Sequence, residues 1–324
     1  MSPRLLLAFL NYNTAEELRE ALLSLPAARE GVDCDVVIID NASPKPGETE
    51  KLEALKGDAR LVRMEENLGF AGAFNKVLPK KGDDPASFPY DYVLLLNSDL
   101  ILPPGFLRDL VEALRNMPAL GLAGISFTRE DGSPQFSYGP TPTLASELIN
   151  RSLFQKRYRK THASPDGRPI EVESVLGAVM AVNCSAVCQA GPMDERFFFF
   201  FEETEWCCRM RDNGFKVWHV PGVKATHLQG RSANKRPLRS RVEFHRSRRL
   251  FFKLRYGSFA LAVLTAGTFL RLIINLLAQL VMVVLTLGLK RKFRDKAYLY
   301  AGLLKWYLQG CPPGAGLDAR ACRK

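Results

Sequence analysis

The sequence predicts an α/β fold, with a mainly parallel sheet covered by helices and a separate apolar helical segment at its C-terminal end. Strand-like and helix-like segments alternate over residues 4–120, which is the pattern of β-α-β units. The strand-like segments are continuously apolar, as expected of strands buried on both faces. The charge divides the chain, because residues 1–230 hold 25 Lys and Arg against 31 Asp and Glu, whereas residues 231–324 hold 20 against 3. We therefore expect two domains, 1–232 and 233–324.

Each element of the first domain has its own local signal. Short apolar runs predict strands at 4–10, 35–40, 59–64, 90–100, 121–127, 174–182 and 215–227. Segments with helical spacing of their apolar residues, bounded by capping or turn residues, predict helices. One begins at Asn13 or Thr14, and the others cover 72–78, 103–116 and 203–213. The last of these helices is expected to end at Gly214, since glycine is typical of helix C-termini.

Polar or small residues follow the first four strands. They are Asn11, Asp40, Asn67, Gly69, Asn75, Asn97 and Asp99. Any one of them alone is typical of a turn or a cap. Ligands of open α/β sheets bind at the carboxyl ends of the strands, so the whole set predicts one binding crevice. The glycine-containing segment "ENLGFAGAFN" (66–75) is neither a Gly-x-Gly-x-x-Gly nor a Walker motif, which disfavours a dinucleotide or P-loop site.

Three carboxylates follow the most apolar run of the chain, "RFFFFFEETEWCCRM" at 196–210. We expect the phenylalanines to bury the approach to Glu202, Glu203 and Glu205. Desolvation raises the pKa of a carboxylate and makes it a better proton acceptor. Alone, the stretch is also typical of a buried strand before an acidic helix start. Arg209 either binds an acceptor phosphate or pairs with Glu205 four residues earlier.

The seven cysteines include no Cys-x-x-Cys pair, so a zinc site is not expected. Reduced, structural thiols in the cytosol are the expectation, and the N-terminal segment lacks the features of a signal peptide. The basic residues lie in the tail beside an apolar stretch, and not in the part that carries the predicted crevice. This placement favours an anionic membrane surface as partner and disfavours nucleic acid.

The tail has the pattern of a membrane-associated segment. Residues 258–289 are mostly apolar, with ten Lys or Arg in 231–255 before them and five in 290–296 after them. A single span would put one basic cluster outside, against the positive-inside rule. We therefore expect an in-plane or re-entrant helix, or a tight hairpin, on the cytoplasmic side. The polar residues of the stretch fall on one helical stripe: Thr268, Arg271, Asn275, Gln279 and Thr286. The alternative is an amphipathic helix that packs on the domain or on a second subunit.

Seven segments in order along residues 4–232 resemble family 2 glycosyltransferases, and most of all the bacterial rhamnosyltransferase-like branch. The segments are "FLNYN", "IIDNAS", "ENLGFAGAFN", "LLLNSDL", "LGAVMAVNCSA", "FFFFFEETEWCCR" and "ATHLQGRS". The resemblance implies a GT-A fold with a Rossmann-like sheet, a nucleotide-diphosphate sugar donor, a divalent cation (Mg²⁺ or Mn²⁺) and inversion at the sugar carbon.

The resemblance also implies roles for individual residues. Asp40 takes the place of the acid that binds the nucleoside, in a donor site with Asn11, Asn67, Gly69, Asn75 and Asn97. Asn97-Ser98-Asp99 takes the place of the Asp-x-Asp element, and its first residue is Asn, so Asp99 is the expected metal ligand with His227. Glu203 takes the place of the catalytic base, and Glu202 is the alternative. Glu205 and Arg209 are candidates for acceptor binding, and His219 is expected to be structural.

The predicted function is transfer of a sugar, with dTDP-rhamnose as a candidate donor, to a lipid-linked or polysaccharide acceptor in cell-surface glycan synthesis. The predicted location is the cytoplasmic face of a bacterial inner membrane. A scaffold that keeps the fold without turnover is one alternative. A sugar-phosphate nucleotidyltransferase is disfavoured, because residues 11–20 contain no glycine and a single Arg.

Overall fold

The computed structural model describes residues 3–164, 166–228 and 237–318. The chain forms two compact units. The first unit comprises Met1–Thr141, Leu153–Arg196 and Glu202–Ser232, and the second comprises Pro142–Ser152, Phe197–Phe201 and Ala233–Lys324. The second unit therefore includes two segments from within the predicted 1–232 domain. The predicted boundary at 232, like the end of the "ATHLQGRS" segment, lies outside the described residues.

The elements follow the predicted alternation. The strands are β1 (Leu5–Asn11), β2 (Cys34–Asp40), β3 (Arg60–Arg63), β4 (Tyr92–Asn97), β5 (Leu100–Ile101), β6 (Leu120–Thr128), β7 (Tyr138–Gly139), β8 (Ile170–Glu171), β9 (Ser174–Val175), β10 (Val179–Asn183) and β11 (Lys216–His227). The helices are α1 (Ala15–Ala28), α2 (Glu48–Leu55), α3 (Gly69–Phe74), α4 (Phe106–Arg115), α5 (Leu144–Leu148), α6 (Arg151–Thr161), α7 (Cys184–Ala190), α8 (Glu202–Asp212), α9 (Pro237–Leu285) and α10 (Arg291–Leu308).

Within the described residues, nine strands form one sheet in the order β3-β2-β1-β4-β10-β6-β11-β5, and β8 pairs with β11. Strands β1, β2, β3 and β4 are parallel to one another, and β11 is parallel to β6. Strand β10 runs antiparallel to both β4 and β6. The sheet is therefore mixed, yet six strands share one direction and their carboxyl ends lie at the same edge.

Three predicted elements are divided or shifted in the structure. The predicted strand 90–100 is interrupted after Asn97, and its last residues form β5, which pairs with β11. The predicted strand 174–182 is interrupted between β9 and β10. The two interruptions meet, because the Asn97 amide donates to the Ala178 carbonyl at 3.0 Å. The predicted helix 72–78 begins earlier, at Gly69, and ends as a 3₁₀ turn at Asn75–Val77.

The core of the first unit lies between the sheet and its helices. Leu18, Ala21 and Leu25 recur on one face of α1, and Leu107, Leu110 and Leu114 recur on one face of α4; both sets are buried against the sheet. Full burial of a leucine side chain stabilises the folded state by about 1.5–3 kcal/mol. These contacts fix the strands, and hence the positions of the residues at their carboxyl ends.

The second unit contains a helical hairpin that turns at Gly257. This residue has φ 80° and ψ −176° inside α9, a conformation that is essentially restricted to glycine. The arms 237–256 and 258–285 lie side by side, since Arg248 donates to the Thr268 hydroxyl at 2.9 Å. Helix α10 packs on both arms through a shared apolar cluster of Val242, Leu272, Leu303, Trp306 and Tyr307. The tail is therefore a three-helix bundle whose first turn, at Gly257, precedes the apolar stretch, and residues 258–285 form one helical arm rather than a hairpin of their own.

The second arm of the hairpin turns its polar stripe inward. Thr268 is buried and accepts from Arg248, and Arg271 donates to the carbonyls of Glu147 and Leu148. The opposite side is apolar, and each of its side chains is 57–72% exposed: Leu270, Ile274, Leu277, Val281 and Val284. Among the described residues, α9 is the helix whose length and composition would allow it to cross a membrane, and only 11% of its most apolar window is buried.

The five phenylalanines at 197–201 do not form a strand. Phe200 and Phe201 have φ values of 73° and 68°, in the left-handed region where a non-glycine residue costs about 1–3 kcal/mol. Contacts within the second unit hold this conformation: Ser247 donates to the Phe199 carbonyl at 2.9 Å, and the ring of Phe201 contacts that of Phe251. The run is thus a bent connection directly before α8.

Candidate active site

The candidate site lies at the edge of the sheet where strands of the same direction end. Asn11 ends β1, Asp40 ends β2, Asn97 ends β4 and His227 ends β11. Asn11 is directly paired with Asp40, and Leu10 with Asn97, in the parallel register. The structure therefore brings these predicted residues to one edge of the sheet.

Asn11 and Asp40 form a fully buried polar pair. Nδ2 of Asn11 donates to Oδ1 of Asp40 at 3.2 Å, and the Ser43 hydroxyl donates to the same oxygen at 2.5 Å. Within the described residues, Oδ2 of Asp40 accepts no hydrogen bond, and Nε of Arg63 lies 3.8 Å from it. A buried acceptor without a donor is costly. This oxygen is therefore suited to accept a hydrogen bond from a ligand.

Two further groups extend this network, and neither was predicted from the sequence. Glu48 is 1% exposed; its Oε1 accepts from the Ala15 amide at 2.7 Å, at the start of α1, and lies 3.4 Å from Nδ2 of Asn11. The Thr14 hydroxyl donates to Oδ1 of Asn11 at 3.1 Å and accepts from the Ser98 hydroxyl at 2.8 Å. The ends of β1, β2 and β4 are thus joined by one set of hydrogen bonds.

Asn67 and Gly69 are held at the end of β2 by Asn41, a residue directly after the strand end at Asp40. Nδ2 of Asn41 donates to Oδ1 of Asn67 at 2.9 Å and to the Gly69 carbonyl at 3.1 Å. Gly69 has φ 75°, which glycine adopts without strain. The predicted donor-site segment and the buried Asp40 strand end are therefore neighbours.

Asp99 and His227 are in direct contact. Oδ1 of Asp99 lies 3.3 Å from Nε2 of His227, and the Leu228 amide donates to the Asp99 carbonyl at 3.0 Å. The pairing of β5 with β11 puts His227 opposite Leu100, the residue after Asp99. His227 is 6% exposed, and the Asp99 side chain is 17% exposed. The predicted metal ligands are thus together, with the carboxylate at the more accessible side.

Gln135 holds the other nitrogen of the histidine. Its Nε2 lies 3.0 Å from Nδ1 of His227, and it is 2% exposed. No motif in the sequence marks this residue. A group that contacts the second nitrogen of a histidine fixes the orientation and the tautomer of the ring.

The donor atoms present fit a divalent cation that is shared with phosphate. A carboxylate and an imidazole are suitable ligands for Mn²⁺. Among the described residues, no cluster of three or more His, Cys, Asp or Glu side chains with the geometry of a metal site occurs. Asp99 and His227 would therefore supply two ligands, and the remaining positions would fall to phosphate oxygens and water.

Glu202 and Glu203 begin α8, where the positive end of the helix dipole favours carboxylates. Glu202 is 4% exposed and Glu203 is half-buried. A Cβ atom at Gly177 would lie 3.6 Å from Cβ of Glu203, so Glu203 lies directly against this glycine. The next residue, Ala178, is hydrogen-bonded to Asn97. Glu203 is therefore near the carboxyl end of β4.

Comparison with known proteins decides the family. The family model described as glycosyl transferase family 2 matches residues 9–175, more than half of the chain. The chain belongs to glycosyl transferase family 2. This family 2 enzyme is also similar to the N-acetylglucosaminyl-diphospho-decaprenol L-rhamnosyltransferase of Mycobacterium tuberculosis, with 26% identity over 258 residues, 76% of this chain and 83% of the relative. The predicted family and its rhamnosyltransferase-like character are thereby confirmed.

Solved structures confirm the GT-A fold of this glycosyltransferase. One is mannosyltransferase PcManGT from Pyrobaculum calidifontis in complex with GDP-Man and Mn²⁺, with a TM-score of 0.50 and 16% identity over 95% of this chain and 87% of that one. Another is GalNAc-T7 with UDP, GalNAc and Mn²⁺, with a TM-score of 0.53 and 15% identity over 78% of this chain and 50% of that one. At these identities the likeness shows the fold alone.

The structure gives Arg209 of the glycosyltransferase a task other than acceptor binding. Its five N–H donors are all engaged, two with the carboxylate of Glu205 and three with the carbonyls of Ala190, Gly191 and Pro192. The pairing with Glu205, which was the alternative prediction, is the one observed. Arg209 and Glu205 therefore hold the 190–192 loop against α8, and Arg209 has no N–H donor left for an acceptor phosphate.

Asn75 also holds a loop. Its Nδ2 donates to the Met193 carbonyl at 2.8 Å and to Oε1 of Glu195 at 3.1 Å, and its Oδ1 accepts from the Met193 amide at 3.0 Å. Its amide thus fixes residues 193–195, and direct donor binding by Asn75 stays a prediction. Asn75 and Arg209 together anchor the chain just before the phenylalanine run.

His219 is structural, as expected. It is 3% exposed, and its ring lies 4.4 Å from that of Tyr138 and within 3.3 Å of the Ser126 hydroxyl. Burial, with a smaller contribution from Arg159, lowers the pKa of His219 to about 4. The imidazole is therefore neutral in the folded protein near pH 7.

The cysteines also have structural roles. The described free thiols are Cys34, Cys184, Cys188, Cys207, Cys208 and Cys311. Burial raises the pKa of Cys184 to about 12 and also raises that of Cys207. Thiols that remain protonated are poor nucleophiles, which agrees with the structural role predicted for them.

Proposed function

We propose that this family 2 enzyme transfers a sugar from a nucleotide diphosphate to a lipid-linked or polysaccharide acceptor, with inversion at the sugar carbon and dTDP-rhamnose as the first donor to test. The observation that carries the proposal is the Asp99–His227 pair at 3.3 Å, at the edge where β1 and β2 present Asn11 and Asp40. The similar mycobacterial protein is named for rhamnose transfer to a diphospho-decaprenol acceptor, which supports both the donor and the lipid link.

The donor is held in two parts. Oδ2 of Asp40, which accepts no hydrogen bond within the described residues, accepts a hydrogen bond from the nucleoside. The backbone of the Asn67–Gly69 segment contacts the ligand. Asp99 and His227 hold a divalent cation, Mg²⁺ or Mn²⁺, against the diphosphate. When bound, this cation neutralises the charge that develops on the departing diphosphate.

Glu203 takes the proton from the acceptor hydroxyl. The hydroxyl oxygen forms a bond with the anomeric carbon, the bond between that carbon and the diphosphate oxygen breaks, and the nucleoside diphosphate leaves with the electron pair. Attack on the face opposite the leaving group inverts the sugar carbon. The position of Glu203 beside Gly177, next to the residue that binds Asn97, supports this role. Glu202 is more deeply buried and is the second candidate.

Attachment to an anionic membrane surface, on the cytoplasmic face, is part of the same proposal. The second arm of α9 exposes a row of apolar side chains, which is unusual for a helix on a water-soluble protein. The exposed row from Leu270 to Val284 would be buried in the acyl region, and the basic residues around it would contact acidic headgroups. Enzyme and lipid-linked acceptor would then share one surface.

Donor binding can be tested on the full chain in detergent by thermal unfolding. A ligand that binds the folded state raises the melting temperature. We expect nucleoside diphosphates to do so, and more strongly with Mn²⁺ than with a chelator. The test variant is Asp40→Asn, within the crevice. The matched control is Asp33→Asn, the same isosteric change at a carboxylate outside the crevice. Loss of the shift in Asp40→Asn alone would support the site, and equal shifts in both variants would refute it.

Membrane attachment is tested separately by sedimentation of the full chain with vesicles. We expect pelleting at low salt and only partial release at high salt, because salt screens charges but does not weaken apolar burial. Full recovery in the soluble fraction at low salt, without detergent, would refute attachment and leave the donor-binding result unaffected.

A further inference from the structure

Helix α6 (Arg151–Thr161) is the most basic element of an otherwise acidic part of the chain. Its 11 residues include five Lys or Arg and no Asp or Glu, whereas residues 1–230 as a whole carry a net charge of −6. Helix α6 is thus a basic segment within an acidic part of the chain, and its packing determines which of its side chains face solvent.

One side of α6 is attached to the first unit. Tyr158 is buried, and its hydroxyl accepts from the Glu173 amide at 2.8 Å. The guanidinium of Arg159 lies 5.7 Å from the ring centre of Tyr138. These contacts fix the rotation of the helix about its own axis, and hence the side that faces outward.

The outward side combines one apolar residue with three cations. Leu153 is 59% exposed, and Lys156, Arg157 and Lys160 are also exposed. Their spacing of three, four and seven residues from Leu153 puts all four on one face. Within the described part of the chain, no ion pair is formed by these three cations. Phe154, 37% exposed, lies at the border of this face.

Local interactions of the helix account for only part of this charge. Arg159 and Lys160 lie in the last turn, where cations offset the helix dipole. Arg151 lies 3.5 Å from the Glu147 carboxylate. Lys156 and Arg157 are neither in the last turn nor in such an ion pair. An exposed leucine among these cations does not improve the solvation of the helix.

We propose that α6 is a second membrane contact, with Lys156, Arg157 and Lys160 on anionic lipid headgroups and Leu153 inserted at the boundary with the acyl chains. Helices that lie in a bilayer interface have this combination of basic and apolar side chains. A nucleic acid would satisfy the cations but would leave Leu153 in water. The bilayer satisfies both. The proposal is independent of the apolar hairpin, since it concerns a helix anchored to the catalytic unit.

The experiment places a reporter on the outward face of the full chain. Leu153→Trp is introduced at an exposed position, and its fluorescence is measured with vesicles whose acyl chains carry bromine, which quenches tryptophan on contact. The signal of the unmodified protein, which contains three Trp, is subtracted. We expect the quenching that remains after subtraction to be at least about twofold greater with acidic lipids than with zwitterionic lipids, because headgroup charge attracts the basic helix to the surface.

A charge-reversal variant then tests the cations. In the reporter background, Lys156→Glu, Arg157→Glu and Lys160→Glu together should abolish the extra quenching. The matched control has the same change in net charge and should retain the extra quenching. It replaces by Glu three other exposed cations of the first unit, Lys80, Lys81 and Arg115. Sedimentation of each variant with the vesicles reports on the hairpin separately.

Three results would overturn the proposal. The reporter could remain unquenched while the protein pellets with the vesicles, which would place α6 in water. Quenching could be equal for acidic and zwitterionic lipids or survive the charge reversal of α6, which would remove the role of the cations. A response of the reporter to a single-stranded oligonucleotide and none to vesicles would identify nucleic acid as the partner.

Discussion

Oδ1 of Asp99 and Nε2 of His227 lie 3.3 Å apart, although one residue follows β4 and the other ends β11. Their contact depends on the short strand β5, which pairs with the end of β11 and puts His227 opposite Leu100, the residue after Asp99. A carboxylate and an imidazole in this arrangement can share one cation. The position at the common edge of the sheet puts that cation where a diphosphate would bind.

Asp99→Ala should lower sugar transfer by at least about 10²-fold, since the charge stabilisation that a cation supplies to a leaving group amounts to several kcal/mol. The free energy of unfolding should change little, because the side chain is at the accessible side of the pair. The control is Asp131→Ala, which removes a carboxylate from an exposed turn. Unchanged transfer by Asp99→Ala in the presence of a chelator would rule out this role.

Glu203→Gln should lower turnover by about 10²–10⁴-fold, the usual contribution of a general base. The amide keeps the shape of the side chain, so the dissociation constant of the donor should remain close to that of the unmodified enzyme. Glu202→Gln is the matched variant at the adjacent position and should be far less impaired. The opposite order of the two variants in a turnover assay would assign the base to Glu202.

Gln135 should control the affinity for the cation through His227. Nε2 of Gln135 can only donate to Nδ1, so a cation on Nε2 of His227 requires the amide to turn and present Oε1, which accepts no hydrogen bond within the described residues, to Nδ1–H. Gln135→Leu removes that acceptor, and loss of such a contact typically weakens metal binding by about 10–100-fold. Gln135→Glu should restore binding, because a carboxylate accepts a hydrogen bond from Nδ1–H and leaves Nε2 with a lone pair for the metal. Titration of Mn²⁺ by electron paramagnetic resonance measures both, with the exposed Gln189→Leu as control. Equal affinities for all three variants would contradict this account.

His219 should make the first unit less stable in acid. Burial lowers its pKa from 6.5 to about 4, so between these values the unfolded chain binds more protons than the folded one. The free energy of unfolding should therefore fall as the pH is lowered from 6.5 to 4, by an amount on the order of 3 kcal/mol. His219→Phe should reduce this dependence, measured by thermal unfolding across that range, and His162→Phe is the control. An identical pH dependence in His219→Phe and the unmodified chain would refute the assignment.

The residues at strand ends could be predicted because their position follows from local pattern alone. An apolar run that ends in Asn11 or Asp40 predicts a polar side chain at the edge of a parallel sheet, and Asp99 follows the same logic, whereas the role of His227 was expected from the resemblance to family 2 glycosyltransferases. Gln135, Glu48 and the direction of β10 could not be predicted, because each depends on which segments become neighbours in space. An isolated glutamine or glutamate carries no local signal of the histidine or amide that it contacts.

Two candidate site residues, Arg209 and Asn75, hold loops in the structure, which their sequence context did not indicate. Arg209 and Asn75 are chemically suited to bind phosphate and sugar, and their sequence neighbourhood favoured such a role. In the structure their donors are satisfied by Glu205 and by the carbonyls of the 190–193 loop. Whether a polar side chain faces a ligand or its own backbone is decided by the folding of loops, which strand and helix periodicity does not describe.

The most direct test of the central claim is transfer of labelled rhamnose from dTDP-rhamnose to N-acetylglucosaminyl-diphospho-polyprenol by the purified full chain in acidic-lipid vesicles with Mn²⁺. The account predicts a lipid-extractable disaccharide product whose rhamnose carbon has the configuration opposite to that in the donor, and predicts its loss in Asp99→Ala and Glu203→Gln. A product with retained configuration, or a yield from either variant equal to that of the unmodified chain, would contradict it.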